Sequence, residues 1–382
     1  MRILVFSTPL LGHFLPTLPV ARELRKQGHV VAVCSAASMA GIVESEGLEL
    51  LPVGPEKEAL VGGALERIGM EGLLGESPQF LAEFFAGVRL DLATDDALDA
   101  ARAWAPDMIV SEYCDFVGPL VAATLKVPSA VMAIDPALEP DYQEALTASV
   151  SSRYLERGLD APAHSMSGTW MVDICPPSLQ GGGEVPGLER IPMRPSPHQA
   201  PEGTPAVQRA ELTGRPRVLV SFSTGLSELD RLGSLLRSLS ALDVDLVATT
   251  SGDEVPLDGF GLDPARVELV TFVPAAELLD GVSVIVHHGG SGTTFGAAAR
   301  GIPAVVLPDR STQLRWAERL EAAGAGVVLP EGAEATNEAV TAAVQRILSD
   351  AAFTAGAQRL RDEIAAMPTA AEVAARLVAS AG

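Results

Sequence analysis

Cysteine is scarce: three in 382 residues, Cys34, Cys114 and Cys175, far apart and without metal-ligand spacing. That argues against a disulfide framework or a cysteine metal site and suits buried, free thiols in a reducing cytosol. Basic residues are also few, 27 Lys and Arg against 49 Asp and Glu, for a net charge of −22. A chain of that sign repels phosphate backbones and anionic lipid, so neither nucleic acid nor a membrane surface is expected as a partner. No apolar run reaches transmembrane length; the most apolar stretches are cut by Lys126, Pro128, Gly301 or Pro303. The start, MRILVFSTP, reads as a strand and a loop, without the basic start and small-residue cleavage site of a signal peptide. A cytoplasmic location is expected.

What is present is apolar surface. Hydrophobic residues make up 47% and mean hydropathy is +0.25. The length suits two ordinary domains, each with its own core. β-branched runs alternate with amphipathic helical patterns, which implies parallel sheets covered by helices. Strands are expected over Ile3–Phe6, Val30–Cys34, Leu48–Val53, Met108–Ser111 and Ala130–Ala133, with a helix over Leu15–Arg25. The pattern restarts at Arg215, with strands over Val218–Phe222, Val244–Thr249, Val267–Thr271, Val282–His287 and Ala304–Leu307 and a helix from about Glu228 to Leu239. Both halves open alike, RILVFSTPLLGHFLP and RVLVSFSTGLSELD, each a strand entering a Ser/Thr/Gly loop and then a helix. Pro176–Pro216, rich in proline and holding a GGG run, reads as a linker or crossing. The last segment, MPTAAEVAARLVAS, reads as a capped amphipathic helix that packs back on the first domain.

The segment VSVIVHHGGSGTTFGAAARGIP, Val282 to Pro303, carries the chemistry. A buried strand delivers His287 and His288, a glycine turn follows, and an alanine-rich helix ends at Gly301 and Pro303. Free N–H groups and the positive end of the helix dipole converge there, an anion site to which a histidine adds a donor.

With GHFLP near the start, DICPPS at Asp173–Ser178, FVP at Phe272–Pro274, HHGGSGTT and the stretch from Leu307 to GAG at Gly324–Gly326, the whole chain resembles the inverting family 1 glycosyltransferases of bacterial natural-product biosynthesis. The resemblance implies an α/β GT-B fold: two facing Rossmann-like doubly wound domains with a cleft between them. It places an acceptor domain over 1–200, a linker over 201–216, a donor domain over 217–366 and the returning helix over 367–382. His288 is implied as a pyrophosphate contact, with Gly290, Ser291, Gly292 and Thr293 offering N–H groups or a hydroxyl. Ser223, Thr224 and Gly225 are implied to close over the phosphates. Phe272 is implied to lie against the base, unless it is a core aromatic, with the Val273 backbone reading the pyrimidine edge. His13 matches the catalytic base, which takes the proton of a poorly nucleophilic hydroxyl. Its carboxylate partner is Glu112, with Asp115 as a competitor.

Two departures from the pattern bear on the donor. Where uridine-using relatives carry a glutamate for the ribose, this chain has Gly296, which favours a dTDP-sugar. Where relatives place an Asp-Gln pair on the sugar hydroxyls, it reads Thr312-Gln313, which fits a deoxygenated hexose unless Asp309 replaces the lost carboxylate. Phe80, Phe84, Phe85, Tyr142, Met166, Trp170 and Met171 supply apolar surface for a hydrophobic aglycone, although helical-face packing explains them equally. The reading is thus a dTDP-deoxysugar transferase acting on a hydroxyl of a secondary metabolite. No metal and no cofactor beyond the nucleotide sugar are expected, and the chain is read as a monomer or homodimer. A nucleotide-sugar 2-epimerase and a non-catalytic nucleotide-binding helper are the rivals; the first needs more acids, and His13, Glu112 and His288 speak against the second.

Overall fold

A computed structural model describes every residue except 71–76, 182–184, 186, 206, 208–212, 223–228, 251–260, 272, 309–310 and 331–334, with backbone alone for 229–230 and 311–312. The chain divides into two units, Met1–Cys175 with Gly181–Arg194 and Met367–Gly382, and Pro176–Gln180 with Pro195–Ala366.

The first unit is built on seven parallel strands: β1 Arg2–Phe6, β2 Val30–Ser35, β3 Glu49–Pro52, β4 Met108–Glu112, β5 Ser129–Ala133, β6 Trp170–Asp173 and β7 Glu189–Pro192. Their order in the sheet is β3-β2-β1-β4-β5-β6-β7. β4 and β5 are buried along their whole length because helices cover both faces, which is why they read as continuous apolar runs. Leu4, Phe6 and Ile109 join Leu90, Ala97, Leu120 and Val121 of the covering helices in one core. The order reverses between β1 and β4, and the crevice at such a point, beyond the strands' carboxyl ends, is where an open α/β sheet binds ligand.

The second unit repeats the plan with six parallel strands: β8 Arg217–Ser221, β9 Asp245–Thr249, β10 Val267–Val270, β11 Val282–His287, β12 Ala304–Val306 and β13 Gly326–Val328, ordered β10-β9-β8-β11-β12-β13. Val218, Val220, Val284, Val286 and Val305 form its core with Leu235, Leu236, Val340 and Val344. Its reversal lies between β8 and β11.

Three strands, β6, β7 and β13, escape the sequence reading. β7 corrects it most: part of the expected linker is an edge strand of the first sheet, and Pro195–Pro216 belongs to the second unit. Proline is tolerated at a strand end on a sheet edge, where Pro192 closes β7, so its presence there misleads. The helix Ala370–Ala381 starts from a capping box of Thr369 and Glu372 and packs on the helix Leu18–Lys26, with the Gln27 side chain donating to the Ala371 carbonyl. The stretch 351–381 has a spanning segment's length and composition, yet it is two helices interrupted at Met367–Thr369.

Candidate active site

At the carboxyl end of β1 the chain turns into the short helix Leu11–Phe14, then a 3-10 turn, Leu15–Thr17, then the helix Leu18–Lys26. His13 is therefore on a helical turn, not in the expected loop. Pro16 and Pro19 each sit in the first turn of a new helical segment, where a missing N–H costs nothing. Glu112 ends β4, next to β1 in the sheet, and its Oε2 lies 3.0 Å from His13 Nδ1.

Glu112 is wholly buried, and its charge is held by donors. The Thr8 N–H donates to Oε1 at 3.2 Å and the Cys114 N–H to Oε2 at 2.8 Å. Burial alone would raise this carboxyl, but the His13 charge and hydrogen bond, with those backbone donors, bring it below its ordinary value. An ionised carboxylate only accepts, so His13 Nδ1 must donate and Nε2 is left as the proton acceptor. Burial works against protonation of His13 as well; the adjacent Glu112, helped by Asp135 and Asp115, outweighs it and raises the imidazole above its ordinary value. The ring keeps 18% of its side-chain surface exposed. Phe85 lies at 5.3 Å between ring centroids, and Tyr113 stacks at 6.5 Å with its hydroxyl donating to Asp135.

Asp115 faces elsewhere: it pairs with Arg89 and accepts the Val117 and Gly118 N–H groups. The donor atoms of His13, Glu112 and Cys114 lie within 4.8 Å of one another, close enough to hold a metal ion. Their chemistry fits hydrogen bonding better, since burial and the Glu112 charge push the Cys114 thiol well up and both Glu112 oxygens already accept N–H groups.

In the second unit β11 ends at His287, and its Nδ1 accepts the Gly289 N–H at 3.1 Å. The proton of His287 therefore sits on Nε2. Burial, then the neighbouring His288, lowers its pKa to about 3, so the ring is neutral. Gly289 adopts φ +102°, and a Cβ there would lie 3.3 Å from both Val306 Cγ1 and Gln313 Cβ. Gly290 follows as the N-cap of the helix Ser291–Arg300, with no side-chain cap and no acid in the first turn. A Cβ on Gly290 would come within 2.8 Å of His288 Nε2, so the glycine is what lets the imidazole fold over the helix start. Ser291, Gly292 and Thr293 make up the first turn, while Thr294 donates its hydroxyl back to the Gly290 carbonyl. A helix opening without a cap, beside a histidine and a glutamine, can receive an anion through backbone N–H groups.

Comparison with known proteins decides the family. The Erythromycin biosynthesis protein CIII-like family matches with its N-terminal domain over residues 22–223 and its C-terminal domain over 233–380. The chain belongs to the erythromycin CIII-like family. It is a GT-B glycosyltransferase of antibiotic-type natural-product biosynthesis. This CIII-like chain is 33% identical to L-demethylnoviosyl transferase of Streptomyces niveus, over 99% of its length and 98% of that protein. It is 30% identical to TDP-daunosamine transferase DnrS of Streptomyces peucetius, over 100% and 99%. The crystal structure of the glycosyltransferase SsfS6 of Streptomyces sp. SF2575, complexed with thymidine diphosphate, aligns with a TM-score of 0.79 at 28% identity, covering 100% of this chain and 99% of that one.

Not every expected site residue of the CIII-like glycosyltransferase falls where its structure is described. Ser223, Thr224, Gly225, Phe272 and Asp309 lie outside the described residues, as does the side chain of Thr312. Val273 is half-buried just before Pro274, and Gln313 lies against the Gly289 turn. The aromatics expected along the acceptor surface are buried: Phe80 and Phe84 in a cluster with Leu60, Ala64 and Val88, Tyr142 in the helix Pro140–Glu156 and Trp170 in β6. Phe85, half-buried, is the member of that set beside His13. Gly296 is a packing residue, because a Cβ there would meet Leu279 Cδ1 at 3.2 Å and Pro197 Cβ at 3.3 Å. Sequence reasoning missed Arg89, Tyr113 and Asp135. Tyr113 follows Glu112 directly, so the end of β4 at the reversal point was the signal for it.

Proposed function

We propose that the chain transfers a deoxysugar from a dTDP donor to a hydroxyl of a hydrophobic secondary metabolite, with inversion at the anomeric carbon and without a metal. The His13–Glu112 pair is the observation that carries this reading. It fixes the imidazole tautomer with Nε2 free to accept, as a general base must have it. The acceptor O–H gives its proton to Nε2 as its oxygen bonds the anomeric carbon. The bond from that carbon to the diphosphate oxygen breaks on the opposite face, so an α-linked donor yields a β-linked product. dTDP departs with the bonding electrons, and the imidazolium later releases its proton to water.

Charge grows on the diphosphate as it leaves. The N–H groups of the Gly290–Thr293 turn and the His288 side chain are preorganised dipoles for it, and they need no metal. Thymidine is supported by the thymidine diphosphate bound to SsfS6 and by Gly296, which stands where a ribose-gripping glutamate is expected and packs closely on Leu279 and Pro197. The −22 charge supports a cytoplasmic enzyme, and the proposed step calls for no cofactor beside the nucleotide sugar.

Purified protein assayed with dTDP- and UDP-sugars, with and without EDTA, tests this reading. Turnover with dTDP-deoxysugars that survives EDTA is expected; preference for UDP-glucose refutes the nucleotide, and loss with EDTA refutes the metal-free step. His13→Ala should abolish transfer while dTDP binding by calorimetry persists.

A further inference from the structure

Arg89 is the largest fully buried side chain among the described residues, and it opens the helix Arg89–Trp104 directly after the π-helical turn Glu83–Val88 that carries Phe85. Among the described residues one of its nitrogens makes its hydrogen bonds. Nη2 donates to the Ser7 carbonyl at 3.0 Å and to the Asp115 carboxylate. Nε and Nη1 have no hydrogen-bond partner among the described residues. Ser7 leaves β1 and Asp115 follows β4, so this nitrogen ties together the exits of the two strands that flank the reversal point.

The tie closes a ring. Thr8, next to Ser7, gives its N–H to Glu112 Oε1; Cys114, next to Asp115, gives its N–H to Glu112 Oε2. The Thr8 hydroxyl reaches the Cys114 carbonyl at 3.5 Å. Both donors that shape the Glu112 carboxylate therefore stand one residue from an atom held by Arg89. A buried, half-satisfied ion pair is a poor device for stability, since apolar residues of similar volume usually do as well or better. Its geometry is what such a pair supplies here.

We propose that Arg89 is a positioning residue: by joining the exits of β1 and β4 it holds the cradle in which Glu112 aligns His13. The inference rests on the reading of His13 as the base, and the test separates the two. The charged and titratable groups around His13 are Glu112 at the end of β4, Tyr113, Cys114 and Asp115 in the turn after it, and Asp135 after β5, with Arg89 behind Asp115. Burial pushes the Asp115 carboxyl up and Arg89 pulls it down. The Asp115 charge itself helps to raise His13, so the 15N shifts of the neutral ring, which tell whether Nδ1 still holds the proton it donates to Glu112, are read beside the midpoint to separate geometry from charge.

The experiment follows the His13 imidazole by NMR through a pH titration of the full chain carrying isotope-labelled histidine, assigned by the peak lost in His13→Ala. In Arg89→Met the midpoint should fall by about one pH unit toward the ordinary histidine value, and kcat should fall about tenfold, with dTDP affinity unchanged. Arg89→Lys, which keeps one donor and the charge, should recover most of both. If thermal melting shows Arg89→Met unfolded, Arg89→Met/Asp115→Leu removes the charge together with its partner and gives the same reading. An unchanged His13 midpoint in either folded variant overturns the proposal. A shifted midpoint with unchanged turnover leaves the positioning role standing and refutes His13 as the base.

Discussion

Around His13 the first unit buries Arg89, Asp115 and Glu112; around His288 the second presents backbone N–H groups and a histidine held neutral. Both sites stand where a strand order reverses, between β1 and β4 and between β8 and β11. In the proposed mechanism the difference follows from who supplies the charge. A base needs a fixed negative partner to keep one tautomer and steady the imidazolium, so its carboxylate is buried and fully hydrogen-bonded. A diphosphate brings its own charge, and uncapped N–H dipoles receive it without a carboxylate competing for them.

Replacing Glu112 with Gln should break the first region alone. The expected loss in kcat is about 10²–10⁴-fold, with dTDP affinity by calorimetry unchanged; a matching loss of affinity would dissolve the distinction between the units. The histidines should respond to pH with opposite signs. His287 is depressed in the folded state, so its contribution to stability is present above its unfolded value of 6.5 and is lost as pH falls toward about 3. Each pH unit in that window costs roughly 1.4 kcal/mol. His13 is raised, so its contribution is full below 6.5 and is lost as pH rises through the folded value. Denaturant titrations between pH 4 and 8 should therefore flatten on the acid side in His287→Leu and on the alkaline side in His13→Ala.

Gly290→Ala tests the second region in isolation. Its Cβ would press on His288 Nε2, an overpacking worth about 1–3 kcal/mol. We expect dTDP affinity to fall about tenfold while the His13 titration holds. The smallest effect should come from Thr369→Ala, which removes a cap of the first unit far in sequence from both sites. It should cost about 1 kcal/mol in chemical denaturation and leave kcat and dTDP affinity alone.

Much of this contrast is legible in the linear chain. β1, β4, β8 and β11 announce themselves as β-branched runs, because strands buried on both faces have no polar alternation to obscure them. HHGGSGTT stands out because few residue types tolerate a left-handed turn followed by an uncapped helix start. β7 does not stand out, since four residues on a sheet edge carry little pattern among prolines and glycines. Trp170 shows how an aromatic expected at a ligand surface can belong to an interior strand of the sheet instead, buried at 3% exposure. Gly296 reads in sequence as a missing acid and in the fold as a close approach to Leu279 and Pro197. Periodicity carries no information about which residues of distant segments meet.

By itself the sequence determined two α/β units, a glycine turn opening a helix after β11 and a histidine after β1, because hydrophobic period and glycine placement are local properties. Only the tertiary structure decided that Glu112 and not Asp115 meets His13, that His287 carries its proton on Nε2, and that Arg89 binds the two strand exits together. Those depend on register between strands about 100 residues apart, and on the low dielectric that burial creates around each charge.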